Sequence, residues 1–254
     1  MLDYDRVALF IFILIRVAAF LAAGPLFIFP GVPRTAKAGL ALALTLVLFP
    51  VVAPRSFAVP GGLPGFGLLA AKEAVTGLAM GFVCTLVFQS LAVAGQIMDT
   101  QMGFAMAGLF DPALGQTTIT ARFLHLLGLV LFFILDGHHV LIAALVGSFQ
   151  LVPLAGAALT GAGTLALIRV FAQMVALGVQ IAAPVVAVVL IIDICLGLLG
   201  RTAPQMNVFM LGFPLKIGLG LLTLSVMAPL LGVVFRSLAG MMENDLYIVL
   251  RGMH

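Results

Sequence analysis

The chain has 254 residues, 63% of them hydrophobic and only 8% charged, with a net charge of +3. So few charged side chains cannot cover a soluble domain of this size, in which roughly a quarter of residues are charged. Its cations stand singly, without the dense basic cluster that nucleic acid requires, so the composition points to a protein held in a membrane.

Val7 to Phe29 is apolar except for Arg16 and is long enough to cross a bilayer as a helix. It opens on Asp3, Asp5 and Arg6, without the positive leader of a cleaved signal, and is expected to be the first structural helix. Ala36 to Ala53 forms a second helix that stops at Pro54, and a Pro- and Gly-rich loop follows over 53–68. Leu69 to Ala94 is the third helix, with Gly77 and Gly81 at a spacing that lets another helix approach closely.

Residues 95–120 are the most polar long interior stretch, with Gln96, Asp99, Gln101 and Asp111 interleaved among Met98, Met102, Phe104, Met106 and Phe110. Irregular backbone within a membrane protein survives only where protein buries it or where it lines a cavity. Two readings stand side by side: a loop inside a passage, sealed by deformable Met and rigid Phe side chains, or a solvent-exposed connection. The short runs Phe123 to Leu135 and Val140 to Leu154 flank Asp136-Gly137-His138-His139 and suggest a helical hairpin turning at Gly137 in place of two independent spans. A long segment from Thr164 to Leu199 carries Pro184, which predicts a kink or a break. The last run, Val208 to Phe235, holds Pro214 and Pro229, and an amphiphilic tail covers 237–254. The fold class is therefore all-α, a polytopic membrane protein of about six to seven helical segments.

Arg16, Arg169, Asp193 and Lys216 lie singly in apolar runs, where a central charge costs about 2.5–3.5 kcal/mol to insert. Pairing with neighbouring helices or a place at the membrane boundary is the expected outcome, with a proton or ion relay built on Asp193 as the alternative. His138 and His139 are adjacent and should point apart, leaving too few converging ligands for a metal. Cys84 and Cys195, both within apolar runs, read as inert buried thiols, with a disulfide between them as the alternative. Phosphate-loop, zinc-protease and nucleophile-elbow signatures are absent, so no catalytic residue, cofactor or metal is expected.

Three blocks of sequence resemble the FliR family of flagellar export subunits. The first is Gly95-Gln96-Ile97-Met98-Asp99-Thr100-Gln101-Met102-Gly103-Phe104, with Asp111-Pro112 following. The second is Asp136-Gly137-His138-His139, and the third runs from Gly197 through Arg201, Pro204, Gln205 and Asn207 to Phe213-Pro214-Leu215-Lys216. The resemblance implies broken helices and hairpins within a larger helical assembly with FliP and FliQ, and with FlhB and FlhA nearby. It implies a gate for unfolded flagellar proteins in the bacterial inner membrane, and a FliP-like part fused to a FliQ-like part.

The family's pore plug corresponds to Met102, Gly103, Phe104, Met106, Phe110, Asp111 and Pro112. Gln96, Gln101, Gly137, Arg201, Pro204, Gln205, Asn207, Phe213, Pro214 and Lys216 correspond to its packing and assembly motifs. On this resemblance the whole chain, 1–254, is a single export-gate domain. The related injectisome subunit is similar as well, and the third block is the one that looks flagellar. The alternative from the residues alone is a small-molecule or ion transporter acting by itself, centred on Asp193 and Lys216.

Overall fold

A computed structural model describes residues 4–25, 33–52, 62–104, 119–158, 160–205 and 207–253. Within them run α1 (Tyr4–Ala23), α2 (Arg34–Val52), α3 (Gly62–Met102), α4 (Ile119–Ile134), α5 (Gly137–Leu151), α6 (Gly161–Thr202) and α7 (Val208–Gly252), with no strand among the described residues. Five of these helices are long and apolar enough to cross a membrane, and α4 with α5 qualifies only as a broken pair.

The apolar runs extend further as helix than their composition suggested. The third helix begins at Gly62 and continues through Met102, so the polar stretch expected as loop from residue 95 is helical for its first eight residues. Thr100 helps, because its hydroxyl donates to the Gln96 carbonyl 2.7 Å away and satisfies itself on the helix. Pro184 does not break α6, and Pro214 and Pro229 lie inside α7. A proline removes one helical hydrogen bond, but neighbouring turns in a membrane helix hold the backbone on either side. The tail expected after residue 237 is simply the end of α7.

At 41, 42 and 45 residues, α3, α6 and α7 would each be about 60–70 Å long at about 1.5 Å per residue, twice the ~30 Å hydrocarbon core. Lipid can cover only half of such a helix. Protein or water must therefore meet the rest.

The chain divides into two compact units. The first holds Met1–Leu86, Asp136–Phe171 and Ala239–His254. In it α1 packs on α2, with Phe10 edge-on to Phe49 at 5.8 Å between ring centroids. Gly77 and Gly81 of α3 accept the backbone of α1, and a Cβ at Gly81 would stand 2.7 Å from both the Phe20 carbonyl and the Ala23 Cβ. The start of α6 meets the end of α7 in the same way, at Gly163 and Gly252.

The second unit holds Val87–Leu135 and Ala172–Leu238. There Phe88 packs edge-on to Phe132 at 5.3 Å, and Gly128 of α4 fits between Leu91 and Phe235. Gly178 of α6 lies against Ser90 and Val93 of α3. Small residues at each crossing are what helix packing needs where no hydrophobic force separates protein from lipid.

Candidate functional site

The two ends of the polar connection between α3 and α4 are tied together. Gly95 rests on the backbone of Thr120 and Ala121, so close that any Cβ would overlap it. One helical turn later on the same face comes Asp99, fully buried. Its carboxylate accepts from the Thr120 hydroxyl at 2.5 Å, the Thr120 N–H at 2.9 Å and the Ala121 N–H at 3.3 Å. These N–H groups open α4 and have no partner within that helix, so a side chain from α3 caps it. The negative charge also sits at the positive end of the α4 dipole.

The far end of α3 is locked too. Gly103 donates to the Asp99 carbonyl at 3.0 Å and adopts φ +92°, the left-handed conformation that ends helices and favours glycine. A Cβ there would meet the ring of Phe213 at 2.7 Å, and buried Met102 lies where a Cβ on Gly220 would go. The first and third sequence blocks therefore meet, at Gly103 and Phe213. Phe104 is half-buried beyond them. Met106, Phe110, Asp111 and Pro112 lie outside the described residues.

Other motif residues go to different places. Gln96 and Gln101 are exposed along α3 and line a groove of about 340 Å³ with Val93, Ile97 and Thr100. Arg201, in the last turn of α6, and Pro204, Gln205 and Pro214 are exposed. Asn207 starts α7, its side-chain oxygen accepting from the Met210 N–H at 3.3 Å. Lys216 pairs with Asp193, joining α6 to α7 as expected of lone charges in apolar helices. Their side chains are 24% and 43% exposed, so the pair lies at the edge of the packed protein.

Gly137 is buried at the start of α5, directly after Asp136, which breaks the helix with φ 56°. His138 and His139 do not diverge as expected: their ring centroids are 4.1 Å apart. Asp136 also lies 3.4 Å from the His139 Nδ1, and donor atoms of all three residues fall within 4.8 Å of one another. They could offer a cation part of a ligand shell, open to water because Asp136 and His139 are 74% and 70% exposed.

The pairing expected of Arg16 occurs, with a partner the sequence did not single out. Arg16 of α1 and Glu73 of α3, both fully buried, form an ion pair at 2.6 Å. Arg16 also donates to the Val152 carbonyl at 2.9 Å and the Ser148 carbonyl at 3.2 Å, and its guanidinium lies over Phe149 at 4.3 Å. Glu73 accepts from the Ala155 N–H at 2.9 Å. The pair thus fixes the irregular connection after α5, where Ala155 takes a left-handed φ of 68°. A signal existed: Glu73 stands one turn before Gly77 and two before Gly81, on the face where α1 comes closest.

Helices of this length and polarity, with charges paired inside and apolar faces outside, define an all-α multi-pass membrane protein. The family model described as bacterial export proteins, family 1, matches residues 7–242. The chain belongs to that family. It is 32% identical over 239 residues to flagellar biosynthetic protein FliR of Bacillus subtilis (strain 168), covering 92% of this chain and 91% of that protein. It is 33% identical to flagellar biosynthetic protein FliR of Escherichia coli (strain K12), covering 86% and 83%. Yop proteins translocation protein T of Yersinia pestis is 32% identical over a shorter stretch, 74% of this chain and 73% of that protein.

Proposed function

We propose that this chain is a structural and gating subunit of the flagellar type III protein-export gate, acting as one membrane-embedded domain in the bacterial inner membrane. The family match from residue 7 to residue 242 carries the reading. Coverage favours the flagellar system over the injectisome, at 92% of the chain against 74%. The subunit assembles with FliP and FliQ, with FlhB and FlhA close by, and unfolded flagellar proteins pass through the resulting pore.

Much of α2 and α7 remains uncovered, with 17% of each apolar window buried. Such faces need lipid or neighbouring subunits, and the part of α7 that extends beyond the bilayer is where this reading puts neighbouring subunits. Gln96, Gln101, Arg201, Pro204 and Gln205 are placed on the surface, where assembly contacts form.

The connection from Gly103 to residue 118 is the plug. What supports this is the anchoring of both its ends, by Asp99 on Thr120 and by Gly103 on Phe213. A segment tied at its base can close a passage and be displaced by an entering chain without unfolding the helices beside it.

Deleting Gly103 to Leu109 should leave assembly with FliP and FliQ intact, as judged by copurification in mild detergent, and raise the membrane's permeability to small ions several-fold. An unchanged leak with assembly intact removes the plug assignment. Recovery of the intact chain without FliP or FliQ in several detergents removes the export-gate reading itself.

A further inference from the structure

A cavity of about 270 Å³ opens in the first unit. Its walls are Leu68, Lys72 and Val75 of α3, Ala157 and Ala158 of the α5–α6 connection, and Met253 at the end of α7. It is almost wholly apolar, and it lies just under the volume range of pockets that enclose a whole small ligand. A segment of one hydrocarbon chain suits it better, with the rest of the molecule outside.

Among the described residues the cation in its wall forms no ion pair. Lys72 is half-buried, and its ammonium makes one long hydrogen bond, to the Ala155 carbonyl at 3.4 Å. The adjacent carboxylate is turned elsewhere: Glu73 pairs with Arg16 and accepts from the Ala155 N–H, and it forms no ion pair with Lys72. An apolar slot beside an ammonium outside these ion pairs is complementary to an anionic amphiphile.

The level of the cavity in the membrane points the same way. Ala157 and Ala158 are non-helical, with the Ala158 N–H donating to the Met253 carbonyl at 2.8 Å. Irregular backbone survives at the depth of the hydrocarbon core only where protein buries it or it lines a cavity, and Gly156 and Ala158 are exposed, so this part of the chain belongs at headgroup depth. Basic pockets beside membrane helices at that depth collect anionic lipid headgroups.

We infer that this cavity binds an anionic phospholipid, its phosphate on Lys72 and the first part of one acyl chain against Leu68, Val75 and Met253. One lysine near a membrane surface is worth about 1 kcal/mol of lipid attraction, roughly a fivefold preference over a zwitterionic lipid. The site is independent of what the subunit exports.

The protein contains no tryptophan, so Leu68→Trp places a single fluorophore at the cavity mouth. The full chain carrying it is reconstituted in vesicles containing phosphatidylglycerol or phosphatidylcholine brominated near the ester. Quenching should favour phosphatidylglycerol about fivefold, fall to parity in Lys72→Gln, and return in Lys72→Arg. Native mass spectra of the unsubstituted chain should retain one phosphatidylglycerol that Lys72→Gln loses. Equal quenching by the two lipids overturns the proposal, as does a preference that survives in Lys72→Gln. Absence of quenching by either lipid also overturns it, because the cavity is then closed or covered by protein.

Discussion

Arg16→Ala should be the most destabilising single substitution in the first unit, lowering stability by about 3–5 kcal/mol. The loss is more than one ion pair. It strands Glu73 inside the protein with only the Ala155 N–H, frees the Val152 and Ser148 carbonyls, and leaves an apolar gap against Phe149. Replacing both partners with apolar residues, as in Arg16→Met with Glu73→Leu, should cost less than Arg16→Ala, because no charge is then abandoned. Thiol chemistry provides the readout, since Cys84 is buried in α3 and Cys195 is exposed. In a Cys195→Ser background, a thiol-reactive dye reports the melting of α3 in detergent. Arg16→Ala should shift that transition down by many degrees, and a shift within about one degree would show that the pair does not hold the unit together.

Asp99→Ala should loosen the start of α4 by about 2–4 kcal/mol, since it deprives two N–H groups and a buried hydroxyl of their acceptor at once. Asp99→Asn should cost less, because its amide keeps one oxygen for the Thr120 N–H. Hydrogen exchange at Thr120 and Ala121 separates these cases: roughly tenfold or more faster in Asp99→Ala, and intermediate in Asp99→Asn. Unchanged exchange in Asp99→Ala would mean that the α4 terminus is held by the Gly95 contact alone. Because Asp99 ties the base of the proposed plug, the same variant should also raise ion leakage while Gly95 keeps α3 and α4 in register.

These two sites share a construction. In each, glycine on one face of α3 admits another backbone, and an acid one turn away reaches across the short gap. Gly77 and Gly81 bring in α1 so that Glu73 meets Arg16, and Gly95 brings in α4 so that Asp99 meets Thr120. The close approach comes from the glycines, and the specificity of the contact comes from the acid.

Parts of this were legible along the chain. The apolar runs are long and uninterrupted, so membrane helices and their order follow from composition and length alone. Helix ends were less legible. The polar side chains from Gly95 to Met102 suggested loop, yet Thr100 bonds its own helix and Asp99 is buried against α4, so polarity there marks a contact and not an end. Pro184 suggested a kink or a break, and the break does not occur, because one missing hydrogen bond does not end a helix whose other turns are intact. His138 and His139 were expected to diverge, and beside the helix break at Asp136 their rings instead lie together, tilted by 38°.

The sequence by itself determined the class of protein, because burying so many apolar residues with so few charges admits few solutions besides a membrane, and because its motif blocks run in order along the chain. The tertiary structure alone decided which charge meets which. Arg16 finds Glu73 57 positions away and Ser148 132 positions away, and no local periodicity encodes such distances. Those pairings depend on where glycines let helices touch, and that is settled only when the helices are packed.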